Sequence, residues 1–133
     1  MPASESRDSA THAPTSDVPD AMSIDLAQEI EQLHTADAWQ RGRSAKRLTH
    51  FRNLRVTLFA LKAGVRLGEH HNAGRVTVQT IRGRVRVTAS GRTFELPPAR
   101  LVVLDRNVPH DVEAVEESAF LVSVAFEDRD QPA

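Results

Sequence analysis

Three polar side chains, His70, Asn72 and His110, have types and spacing that suit binding chemistry. His70 and Asn72 are two positions apart, so on a β-strand their side chains would point to the same face. Imidazole nitrogens bind zinc or iron well, whereas an amide oxygen binds them poorly. Asp111 follows His110 directly and would point to the opposite face of a strand, so we do not interpret this pair as a catalytic dyad.

Several other kinds of site are excluded by what the chain lacks. The 133 residues contain no cysteine and no tyrosine, so there is no disulfide, thiolate ligand, cysteine nucleophile or phenol. Gly64, Gly68 and Gly74 lack the pattern and the Lys-Ser/Thr ending of a phosphate-binding loop. The histidines therefore remain the main candidates for chemistry.

The composition is that of an ordinary globular protein, with 40% hydrophobic and 26% charged residues and a net charge of -1. Such a charge gives no general attraction to nucleic acid or to an anionic membrane. Apolar runs are too short to cross a bilayer, and the first residues lack the apolar region of a signal peptide. We therefore expect a cytoplasmic protein with neither nucleic acid nor membrane as a partner.

The N-terminal part of the chain divides into a tail and a helical segment. Residues 1–21 are rich in Ser, Thr, Asp and Pro, and we expect them to be disordered, with His12 a tail residue. Residues 22–45 are predicted to form one short helix near 24–34, with Leu26, Ile30 and Leu33 on its apolar face, and then a connector.

The remainder of the chain is typical of a β-sandwich or barrel. Residues 46–127 hold short segments rich in Val, Leu and Ile, separated by Gly, Pro and Asn, and residues 128–133 are a C-terminal tail. Seven arginines lie in residues 75–106 and seven acids in residues 107–133, which we expect to pair across strands. The predicted strands lie near 46–50, 54–62, 66–72, 75–82, 84–89, 92–96, 100–104, 109–115 and 118–126.

Two segments, GVRLGEHHNAGRVTVQTIRG at 64–83 and ARLVVLDRNVPHDVEA at 99–114, resemble the signatures of the cupin superfamily. In the first, G-x5-H-x-H-x3-E-x6-G, the residues Gly64, His70 and Gly83 match the family. Asn72 takes the place of the second histidine and Val76 that of the glutamate. In the second, G-x5-P-x-G-x2-H-x3-N, His110 matches the histidine, while the glycine, proline, glycine and asparagine are replaced by Ala99, Asp105, Asn107 and Ala114.

The resemblance implies an all-β fold, a small antiparallel cupin-type β-barrel (double-stranded β-helix) with one short N-terminal helix. It places a ligand pocket inside the barrel, lined by His70, Asn72, Val76 and His110. Small cupins commonly pair, so a homodimer is expected. Glu69 and Arg66 would then be charges at the rim of the barrel mouth.

The resemblance leaves the function open between two classes. The first is a small-molecule-binding or sensing protein with a degenerate metal site, with a carboxylate-bearing molecule as one option. The second is a metal-dependent enzyme of the dioxygenase or isomerase type that uses His70 and His110, with Fe, Mn, Ni or Zn weakly bound. The loss of two family ligands favours the first class and the retention of two histidines favours the second. A purely structural partner protein is a third option, and no catalytic residue is assigned.

Overall fold

The short apolar segments of the sequence form antiparallel strands in the computed structural model, which describes residues 20–127. The predicted tails, residues 1–21 and 128–133, lie outside the described residues except for residues 20 and 21, and His12 is among the residues outside. The elements, in chain order, are α1 (Leu26–Thr35), a 3-10 helix (Asp37–Arg41), β1 (Arg43–Arg47), β2 (Leu54–Leu61), β3 (Arg75–Arg82), β4 (Val85–Ala89), β5 (Arg92–Leu96), β6 (Leu101–Leu104), β7 (His110–Ala114) and β8 (Ser118–Ala125).

The strands form two antiparallel sheets that share one core. The larger sheet has the order β1-β2-β8-β3-β6 and the smaller has the order β5-β4-β7. Alternate residues of each strand point between the sheets, as the two-residue period of a strand requires. Val78 and Phe120 of the larger sheet and Val87 and Val112 of the smaller one are all fully buried in this core. The predicted all-β fold class is confirmed, in the form of two facing sheets.

Helix α1 covers the outer face of the larger sheet. Asp25 caps the helix by accepting the backbone N–H of Gln28 at 3.1 Å. Ile30 and Leu33 are buried against Leu58 and Ala60 of β2, in a second apolar cluster outside the inter-sheet core. Strand β2 is consequently packed on both of its faces, from inside by the core and from outside by the helix.

The backbone has a positive φ at four positions where the cupin signatures have glycine. Gly64 and Gly83 have φ values of 84° and 82°, in the left-handed region that favours glycine. Ala99 and Asn107, which stand where the cupin signature has glycines, also have positive φ values of 72° and 60°. Asparagine tolerates this region better than most residues, whereas alanine is strained there.

The segment 66–72, predicted as a strand, is the main local difference. It contains only isolated bridges, from Arg66 to Glu113 and from His70 to His110. Gly68 between them has a φ of 95°, a conformation that interrupts a regular strand. The first strand also begins at Arg43 rather than near 46, and residues 37–41, predicted as part of a connector, form a 3-10 helix.

Arginines and acids pair on the outer face of the smaller sheet. Arg86 of β4 contacts Glu95 of β5 at 2.7 Å and Glu113 of β7 at 3.5 Å. Arg66, predicted as a charge at the rim of the barrel mouth, contacts Asp111 at 3.1 Å and Glu113 at 3.4 Å, so it is paired with acids of this face. Pairing across strands therefore accounts for part of the uneven charge. None of the helices in residues 20–127 has the length and apolarity needed to span a membrane.

Candidate functional site

His70 and His110 are held side by side by their own backbones. The backbone N–H of His70 donates to the carbonyl of His110 at 2.9 Å, and the N–H of His110 donates back at 2.8 Å. The two imidazole rings consequently lie 4.3 Å apart, at an angle of 59°. Two residues forty positions apart in the chain are thus brought to one point between the sheets.

The same tautomer is favoured for both imidazoles. His70 Nδ1 lies 2.9 Å from the carbonyl oxygen of Gly68, and His110 Nδ1 lies 3.0 Å from that of Val108. A carbonyl oxygen only accepts hydrogen bonds, so each Nδ1 carries the proton and donates it. In the neutral rings each Nε2 then keeps a lone pair, which is available to a metal or to a hydrogen-bond donor of a ligand.

Burial keeps His110 neutral at ordinary pH. Its side chain is only 2% exposed, and this burial is the largest cause of a pKa below the usual value for histidine. The hydrogen bond to Val108 acts in the opposite direction and is the next largest influence on this pKa. The neighbouring His70 lowers the pKa further, because two positive charges at this distance repel each other.

A cavity of about 190 Å³ opens next to this pair, between the two sheets. We call it the central cavity. Its wall is mostly apolar, with a few polar groups that include both histidines, which is the usual character of a small-molecule site. The lining residues are Arg55, Thr57, Phe59, Leu67, His70, Asn72, Val78, His110, Val112, Val122 and Val124.

Arg55 is a site residue that the sequence interpretation missed. It lies on β2 and lines the central cavity, where its guanidinium carbon is 5.0 Å from the ring centre of Phe126. Its Nε is buried and has no hydrogen-bond partner within the described part of the chain. The available sequence signal was that Arg55 is the one charged residue of β2, but the alternation of β2 did not show which of its faces is internal.

The residues predicted from the cupin signature do not all reach the cavity. Asn72 lines it beside His70, and its backbone carbonyl accepts the N–H of Asn107 at 2.8 Å. Val76 is not among the lining residues; it is 1% exposed in the inter-sheet core, and Val78, two residues further along the same face of β3, lines the cavity instead. His71 is exposed, as its position beside His70 predicts.

The donors in the central cavity fit a tightly bound metal poorly. Two imidazoles and one amide converge there, and within residues 20–127 no group of three His, Cys, Asp or Glu side chains is arranged to hold a metal ion. The cavity contains no carboxylate to offset a divalent cation, and the guanidinium of Arg55 adds a positive charge that opposes one. The pair His70 and His110 therefore forms at most a partial metal site.

Comparison with protein families gives one match over more than half of the chain. Residues 57–129 match the AraC-like ligand binding domain. This range includes most of β2, all of the signature segments and β8, and so most of the central cavity. Among curated proteins, none matches the sequence at a significant level.

Many solved structures share the fold. A conserved protein of unknown function from Streptococcus pyogenes is 23% identical, with a TM-score of 0.68 over 85% of this chain and 94% of that one. A cupin superfamily protein from Desulfitobacterium hafniense is 15% identical, with a TM-score of 0.67 over 84% and 97%. Salicylate 1,2-dioxygenase from Pseudoaminobacter salicylatoxidans is 21% identical, with a TM-score of 0.59 over 75% of this chain and 29% of that one. At these identities the likeness concerns the fold.

Proposed function

The chain belongs to the cupin superfamily, as a member of the AraC-like ligand-binding domain family, and on this premise we propose that it binds a small organic molecule in the central cavity. In this proposal the protein binds or senses its ligand without turning it over, and no tightly bound metal takes part. We also propose, as expected from the sequence, that the protein is cytoplasmic and forms a homodimer.

The proposal rests on one observation: the two imidazoles of the central cavity are held in fixed orientations, yet one nitrogen of each has no hydrogen-bond partner among the described residues. The Nε2 atoms of His70 and His110 make no hydrogen bond to any described residue, while both Nδ1 atoms are fixed by backbone carbonyls. Oriented polar groups set in an apolar wall provide specificity for a ligand, while the wall supplies most of the buried surface.

A second candidate function is a metal-dependent enzyme in which His70 and His110 are ligands. The observation in its favour is the pair of Nε2 lone pairs, presented by rings that are 4.3 Å apart. A metal bound there would act as a Lewis acid on a substrate. Two imidazoles are fewer than the three protein ligands common in catalytic zinc sites, so we rank this candidate second.

A fragment screen by NMR tests the proposal. Small organic molecules are added to the full chain, and amide shifts of the cavity residues are compared with those in a Val122→Phe variant, in which the larger side chain fills the cavity. Val115→Phe is the matched control, because Val115 is 37% exposed just after β7 and does not line the cavity. We expect hits that shift cavity residues, are lost in Val122→Phe and persist in Val115→Phe. Hits that survive equally in both variants, or none at all, would refute the proposal.

A further inference from the structure

Building on the proposed function, we infer that the ligand of the central cavity is a small monocarboxylate whose carboxylate group is bound by Arg55. Among the residues that line the cavity, Arg55 is the only one with a full charge at neutral pH. The cavity thus has a net positive charge and contains no acidic side chain. An anionic group is the ligand feature that this charge favours.

The surroundings of Arg55 leave its guanidinium without an anionic partner. Other arginines of the fold contact carboxylates, as Arg75 does with Asp105 at 3.1 Å and Arg86 does with Glu95 at 2.7 Å. Arg55 makes no ion pair with a described residue, and its guanidinium carbon lies 5.0 Å from the ring centre of Phe126. Because Arg55 lines the cavity without an anionic partner, a ligand that brings a carboxylate gains charge-assisted hydrogen bonds that the fold itself does not supply.

The chemistry of a guanidinium selects a carboxylate over other acceptors. Its planar fork of N–H donors matches the two oxygens of a carboxylate, and such charge-assisted hydrogen bonds are stronger than neutral ones. The ring of Phe126 offers no carboxylate or carbonyl acceptor, so the cation–π contact does not replace this pairing.

The rest of the cavity sets the size and character of the ligand body. Its volume of about 190 Å³ exceeds the roughly 150 Å³ of an apolar cavity known to hold benzene. Phe59, Leu67, Val112 and Val122 supply apolar wall, which suits one ring or a branched chain. The lone pairs on the two histidine Nε2 atoms favour a hydroxyl or N–H group elsewhere on the molecule.

Calorimetric titration of the full chain with matched pairs of acids and amides tests the inference. The probes are benzoate and 3-hydroxybenzoate, with benzamide and 3-hydroxybenzamide as neutral counterparts of nearly the same shape. We expect the acids to bind and the amides to bind at least about tenfold more weakly, as the loss of a charge-assisted hydrogen bond implies. Signals of the Arg55 Nε–H group in ¹⁵N spectra should shift with the acids alone.

Variants at two arginines supply the control. Arg55→Gln should weaken binding of the acids by about tenfold or more, and Arg55→Lys should restore it in part, because lysine keeps the charge but not the fork. Arg52→Gln removes an exposed arginine just before β2 and should leave binding unchanged. Thermal unfolding of each variant checks that the fold is retained, and the amide comparison on the unmodified protein does not depend on any variant.

The outcomes separate this inference from the proposed function. Amides that bind as well as the acids, with no effect of Arg55→Gln, would overturn the carboxylate inference and leave small-molecule binding intact. Failure of every acid to bind would also overturn it, while the screen with Val122→Phe, which includes neutral and basic molecules, decides independently whether the cavity binds ligands.

Discussion

The carboxylate of Asp111 accepts the backbone N–H of Gly68 at 3.0 Å and so holds, from the outer face of β7, the segment that orients His70. Its other oxygen accepts from Arg66 Nη1 at 3.1 Å. The carbonyl of Gly68 is in turn the acceptor for His70 Nδ1. Because residues 66–70 form only isolated bridges to β7, this side chain compensates for the missing regular strand pairing.

Replacing Asp111 with alanine should therefore loosen the segment that carries His70. We expect a loss of about 1–3 kcal/mol in the free energy of unfolding, as for removal of a hydrogen-bonded charged partner, and broadened NMR signals of the His70 ring. Asp111→Asn keeps an acceptor for Gly68 and should lose less. Urea unfolding measures the change, with Glu116→Ala, in the exposed turn before β8, as the control. Equal stability of the Asp111 and Glu116 variants would contradict this role.

The pairing of His70 with His110 could be predicted because both residues match histidines of the cupin signatures, and that resemblance implies that these histidines face one pocket. The position of Arg55 could not. Strand β2 is packed on one face by the inter-sheet core and on the other by α1, so both sets of alternate residues contain large apolar side chains and the strand pattern does not mark its inner face. Likewise, the positive φ of Gly68, which breaks the predicted strand at 66–72, depends on tertiary contacts such as that with Asp111.

Helix α1 should contribute substantially to stability through Ile30. This side chain is fully buried between the helix and the outer face of the larger sheet. Ile30→Ala removes apolar contacts and leaves a cavity, so we expect a loss of about 2–5 kcal/mol in the free energy of unfolding. Chemical denaturation provides the measurement, and Gln32→Ala on the exposed side of the helix is the control. If the two variants unfolded alike, the helix would not be firmly docked on the sheet.

Stability should fall as the pH is lowered past the ordinary pKa of histidine, because of His110. Burial lowers the folded-state pKa of this group from the usual 6.5, so below that pH the unfolded chain takes up a proton that the folded chain does not. The free energy of unfolding therefore decreases until the pH reaches the lower folded-state pKa. The nearby His70 and His71 strengthen this effect and Asp111 opposes it.

The comparison of two variants isolates that contribution. His110→Gln should flatten the dependence of the unfolding free energy on pH below 6.5, whereas Gln32→Ala, on the exposed side of α1, should not. Denaturant melts at closely spaced pH values provide the data. An unchanged slope in His110→Gln would show that this histidine is not the group responsible.

A homodimer should form through the outer side of β6. This strand lies at the edge of the larger sheet, and its Leu101 and Val103 are 51% and 63% exposed. An exposed apolar edge strand pairs readily with another chain. We expect light scattering to show a dimer at micromolar concentrations, Val103→Glu to shift it toward monomer and Gln32→Glu on α1 to have no such effect. A monomer in the unmodified protein would contradict the prediction.

Metal affinity should be limited by the number of donors in the central cavity and by the charge of Arg55. Asn72 lines the cavity beside His70, so Asn72→His would add a third imidazole near the existing pair. We expect Zn²⁺ and Ni²⁺ to bind the metal-stripped variant at least about tenfold more tightly than the unmodified protein, for which we expect no submicromolar binding. Adding Arg55→Gln to Asn72→His should tighten binding further by removing a positive charge from the cavity.

Calorimetry measures these affinities, with Asn53→His, at an exposed position, as the control. Submicromolar, one-to-one binding by the unmodified protein that is abolished in His70→Ala would reverse the ranking and put the metal-dependent enzyme first.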